Sequence, residues 1–121
     1  MQEKPNAPLA TSDSVEFVSV AESISLPPGH GRTVQVKGRE FAIYNVDGRF
    51  YAIDNTCPHR SGPLGAGWLE NGVVFCPLHG WSFDVKTGAS LSNPAKAVRS
   101  YPARVLAGQV QIGLPADGNL S

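Results

Sequence analysis

The chain has 121 residues, 41% of them hydrophobic, with ten Lys or Arg balanced by ten Asp or Glu. That suits a single domain with one modest core. With no basic run to follow a phosphate backbone, nucleic acid is excluded as the main partner, and no apolar stretch approaches the ~20 residues needed to span a bilayer.

Taken in chain order, MQEKPNAPLATSDS contains no apolar run. It does not read as a secretory signal, and residues 1–14 are expected to form a flexible tail with little to bury. The expected compartment is therefore the cytoplasm, where thiols stay reduced. The two cysteines then point to a metal or redox site rather than a structural disulfide.

Val15-Glu16-Phe17-Val18-Ser19-Val20 is the first candidate strand, and Ala21-Glu22-Ser23-Ile24 a possible short helical turn. Thr33-Val34-Gln35-Val36 alternates at the two-residue period of a half-buried strand. Residues 40–46 and 49–53, rich in β-branched and aromatic side chains, flank Asp47-Gly48, a strong signal for a type I′ hairpin. Asn71-Gly72 joins Trp68-Leu69 to Val73-Val74-Phe75 in the same way. Ala107-Gly108 lies between Val105-Leu106 and Gln109-Val110-Gln111-Ile112. Many short strands with turns between them predict an all-β fold, an antiparallel sandwich or barrel. Residues 54–91 differ in texture, being rich in Gly and Pro, and read as a small site-bearing subdomain set into a β base made by the two ends.

That middle section holds Cys57-Pro58-His59 and, after sixteen intervening residues, Cys76-Pro77-Leu78-His79. A Cys and a His this close can face one metal centre if the backbone bends tightly. Gly62, Gly65, Gly67 and Gly80 permit such bends, while Pro58 and Pro77 stiffen each loop by fixing φ. Two cysteines and two histidines allow a tetrahedral structural zinc or a [2Fe–2S] cluster with thiolates on one iron and imidazoles on the other. Zinc fingers usually pair Cys with Cys and His with His. Here each loop carries one of each, which suits two metals facing each other across the loops.

These motifs resemble the Rieske family. Cys57-Pro58-His59-Arg60-Ser61-Gly62-Pro63-Leu64 is similar to the first cluster loop of Rieske-type ferredoxins, and Cys76-Pro77-Leu78-His79-Gly80-Trp81-Ser82-Phe83-Asp84 to the second. Asp84-Val85-Lys86-Thr87-Gly88 resembles the segment that follows. Ser92-Asn93-Pro94-Ala95 resembles the proline-bearing loop that covers the cluster, and Val98 to Val105 the returning strand. The resemblance implies three antiparallel sheets with the cluster subdomain at one tip, in a single domain over 15–114 followed by a tail over 115–121. It implies a [2Fe–2S] cluster held by Cys57, His59, Cys76 and His79.

It also implies a non-enzymatic electron carrier, the ferredoxin component of a ring-hydroxylating dioxygenase system. The carrier would pass single electrons from a flavin-dependent reductase to a terminal oxygenase. The alternative is a Rieske-fold small subunit of a nitrite-reductase-like or other redox complex. A monomer is expected from the near-neutral surface. High-potential family members carry an extra bridged cysteine pair and hydroxyls beside the cluster, where this chain has Trp81 and Phe83. Hydrogen bonds to cluster sulfur favour the reduced, more negative state, so their loss predicts a potential near the lower end of the roughly −150 to +300 mV Rieske range. Trp81 and Phe83 are read as shields of the cluster, Trp68 as hydrophobic packing, His30 as an exposed loop residue and Arg60 as an aid to steering an acidic partner.

Overall fold

The fold was taken from a computed structural model, which describes residues 15–58, 62–78 and 80–115. Its strands are β1 (Val15–Glu22), β2 (Gly31–Val36), β3 (Arg39–Val46), β4 (Arg49–Asp54), β5 (Trp68–Glu70), β6 (Val73–Phe75), β7 (Ser82–Asp84), β8 (Ser100–Tyr101), β9 (Ala103–Leu106) and β10 (Gln109–Pro115). They form three antiparallel sheets ordered β1-β10-β9, β2-β3-β4-β8 and β5-β6-β7.

Tight turns set the hairpin registers. Lys37-Gly38, Asp47-Gly48, Asn71-Gly72 and Ala107-Gly108 each place both residues at positive φ, as a type I′ turn requires. At the second of these, the Gly48 amide donates to Asn45 Oδ1 at 2.7 Å, which adds a side-chain anchor.

The β2-β3-β4-β8 sheet is the middle layer. On β3, Phe41 and Ile43 face one core, with Val110, Ile112 and Leu114 from β10. Ala42 and Tyr44 face a second, with Val74, Phe83, Cys57 and Cys76. A strand buried on both faces has no polar face to display, so Phe41-Ala42-Ile43-Tyr44 is a continuous apolar run rather than an alternating one. Two cores therefore replace the one that chain length suggests.

Several expectations shift. Pairing in β1 continues to Glu22 through an irregularity between Ser19 and Ala21. Ala21 and Glu22 are thus extended, and the helical turn moves to a 3₁₀ turn at Ser23–Ser25. Pro102 divides the returning segment into β8 and β9. It has no N–H to give a ladder, while its carbonyl accepts from the Gly113 amide at 2.8 Å. Pro115, expected in the tail, pairs with Val15. The expected tail over residues 1–14, and residues 116–121, lie outside the described residues. Among the described residues, no helix is long and apolar enough to cross a membrane.

Candidate metal centre

Each cysteine opens a loop that the backbone closes behind it. In the first loop the Cys57 amide donates to the Gly62 carbonyl at 2.9 Å, and an antiparallel bridge joins Thr56 to Pro63 at its base. In the second, the Cys76 amide donates to the Trp81 carbonyl at 2.7 Å and the Gly80 amide to the Cys76 carbonyl at 3.0 Å. Gly80 completes that bend at a φ of +75°, which an L side chain rarely adopts.

Neither cysteine is in a disulfide, and both are almost wholly buried, at 0% and 1% exposure. They share the second core with Leu64, Val74 and Phe83. The loops also touch: a Cβ added to Gly62 would stand 2.7 Å from Cys76 Sγ. His59, Arg60 and His79 lie outside the described residues, and among those described no group of three His, Cys, Asp or Glu side chains could hold a metal. The structure thus brings together the two sulfur donors of the expected set.

Beneath the first loop is a clamp that the sequence reading missed. Tyr44, fully buried, donates its hydroxyl to the Leu64 carbonyl at 2.7 Å. The Leu64 amide donates to the Asn55 backbone carbonyl at 2.6 Å. Asn55 Oδ1 accepts from the Gly65 amide at 2.8 Å and from the Thr33 hydroxyl at 2.9 Å, while its Nδ2 donates to Glu40 Oε1 at 3.0 Å. Burial above all, and then the nearby Cys76 charge, push the Tyr44 phenol far above its ordinary pKa. The phenol stays neutral, and its one proton goes to Leu64, not to sulfur. The sequence signal was faint: a polar Asn two residues before a cysteine, and a Tyr in an otherwise apolar strand.

Of the other expected residues, Phe83 is fully buried and Trp81 packs at the edge of the same core. Neither carries a hydroxyl. Trp68 is more exposed than core packing implies: its ring stacks on Phe75 at 5.2 Å and 12° but is otherwise largely in water, because a three-stranded sheet has nothing to cover its outer face. His30 is exposed, as expected. Pro94 opens a 3₁₀ turn capped by Asn93. The loop before it is tied to β7, with the Leu91 amide donating to the Ser82 carbonyl at 2.9 Å and the Ser82 amide to Ser92 Oγ at 3.0 Å.

Two buried thiols outside any disulfide, on apposed loops with a glycine against one sulfur, are donors of the kind that soft-ligand chemistry, Zn or Fe–S, uses. Residues 16–102 match the Rieske [2Fe-2S] domain, and the chain belongs to that family, whose cofactor is a [2Fe–2S] cluster. It is 35% identical over 100 residues to the naphthalene 1,2-dioxygenase system ferredoxin component of Pseudomonas aeruginosa, covering 82% of this chain and 96% of that one. It is 36% identical over 117 residues to the alkene monooxygenase system ferredoxin component of Xanthobacter autotrophicus, covering 93% and 96%. Its fold superimposes with a TM-score of 0.74, at 31% identity, on a chain in the complex of reduced oxygenase and oxidized ferredoxin of carbazole 1,9a-dioxygenase, covering 87% and 97%.

Proposed function

We propose that this protein is a cytoplasmic, monomeric ferredoxin of low potential. It takes single electrons from a flavin-dependent reductase and passes them to a terminal oxygenase. Cys57 and Cys76 hold one iron of the cluster, and His59 and His79 the other. The single observation that carries the reading is the pair of buried thiols outside any disulfide, one from each closed loop and both in one core. The names of the relatives, ferredoxin components of oxygenase systems, support the choice of partners.

When bound, the cluster supplies a reversible one-electron couple. The chain's own residues set the conditions. Cys57 and Cys76 present sulfur from inside the core, where water is excluded. His59 and His79, each two or three positions beyond its cysteine in sequence, would supply the imidazole ligands. The loop bearing Pro94, latched to β7, would serve as the cover of the cluster that the family resemblance implies.

Anaerobic reconstitution with iron and sulfide tests this. The expected product is red-brown, takes up one electron per chain from dithionite, and then shows the low-temperature EPR signal of a reduced [2Fe–2S] centre. A colourless protein holding zinc would overturn the reading.

A further inference from the structure

Leu78 belongs to the second loop but packs on the first. A Cβ placed on Gly62 would lie 3.0 Å from Leu78 Cγ and 3.2 Å from its Cδ1, and 2.7 Å from Cys76 Sγ. The isobutyl group therefore reaches the first loop at the same glycine that Cys76 Sγ approaches. It remains 51% exposed, so it adds little to the core. The missing side chain at Gly62 is what lets leucine and sulfur close on the opposite loop.

We propose that Leu78 sets the reduction potential by keeping water from the Cys76 sulfur. This rests on Cys76 being a cluster ligand. Taking up an electron adds one negative charge at the site, with no bond made or broken. Water and other donors near the sulfur stabilise that charge and raise the potential, and an apolar cover denies it that help. A leucine lying across both loops holds the potential down from outside, as the absence of hydroxyls at Trp81 and Phe83 does from within.

Three variants test the assignment: Leu78→Ala, Leu78→Asn and Leu78→Met. Each is reconstituted anaerobically and titrated reductively, with the visible spectrum reporting the midpoint and EPR the integrity of the centre. Opening or wetting the cover with Ala or Asn raises the midpoint. At the poise that half-reduces the parent protein, the ratio of reduced to oxidised centre rises severalfold, a tenfold rise corresponding to about 59 mV for a one-electron couple. Met, apolar and of similar volume, keeps the ratio within about twofold. Should the Ala variant not retain its centre, the comparison of Asn with Met decides, since Asn wets the site without emptying it. Ratios within twofold of the parent for both Ala and Asn, or a lowered midpoint, overturn the proposal. A parent protein that assembles no [2Fe–2S] centre overturns the ligand assignment instead, so the two failures are distinguishable.

Discussion

Cys57 and Cys76 could pass for two small apolar core residues, since free cysteine is among the most buried of side chains. What separates them from that role is that each stands at the first position of a loop closed by its own amide. Cys57→Ser and Cys76→Ser are accordingly expected to fold but to lose the visible absorption of the reconstituted centre. Gly62→Ala is expected to cut the yield of assembled cluster, read from iron and sulfide per chain, because its methyl would stand 2.7 Å from Cys76 Sγ. Ala107 is of another kind: it holds a φ of +53° in a surface turn, a conformation that strains an L residue by roughly 1–2 kcal/mol. Ala107→Gly relieves that strain but adds freedom to the unfolded chain, so a net gain of about 0.5–1 kcal/mol is expected in urea unfolding.

The 3₁₀ turn at Leu64–Ala66 shows how an element too short to be stable alone is positioned. Its backbone is bonded on three sides, by the Tyr44 hydroxyl, the Asn55 carbonyl and Asn55 Oδ1. Tyr44→Phe removes one of two donors to the Leu64 carbonyl, which keeps the Gly67 amide at 3.0 Å, and should cost about 0.5–1.5 kcal/mol, measured by urea unfolding. The hairpins at Asp47-Gly48 and Asn71-Gly72 were legible because their turn residues tolerate positive φ. Lys37-Gly38 was not, because lysine carries no such preference; the turn there follows from the pairing of β2 with β3. β7 was hidden for a different reason: Ser82-Phe83-Asp84 is too short to display a period and is a strand only because Val74 pairs with Phe83.

Stacked in three layers, the molecule has a middle sheet whose strand β3 is buried on both faces from Phe41 to Asn45, and the consequences are global. Tyr44 in that sheet has its pKa raised well above 10, chiefly by burial, so the folded form keeps a proton that the unfolded chain releases. A raised folded-state pKa contributes stability below the unfolded value near 10 and loses it as pH rises beyond. Stability should therefore fall above about pH 10, by up to ~1.4 kcal/mol per pH unit from this residue. Tyr44→Phe should flatten that part of the curve in urea unfolding at stepped pH. With Phe83 buried and lacking a hydroxyl, and the Tyr44 proton given to Leu64, neither side chain offers a hydrogen bond to cluster sulfur. A midpoint toward the lower end of the roughly −150 to +300 mV Rieske range is expected. Potentiometric titration checks it, and a value clearly above zero would count against the hydrogen-bond argument.

From the residues alone came the β class, the hairpin turns at Asp47-Gly48, Asn71-Gly72 and Ala107-Gly108 and the pairing of cysteine with histidine in each loop, because these are local: turn chemistry and ligand spacing are written in a few adjacent positions. The two-sided burial of β3, the clamp of Tyr44 and Asn55 and the contact of Leu78 with Gly62 were not readable there. Each joins residues distant in the chain, and neither partner's type announces the other. Only the closing of the sheets upon one another brings those atoms within reach, and with them the surroundings in which the two sulfurs sit.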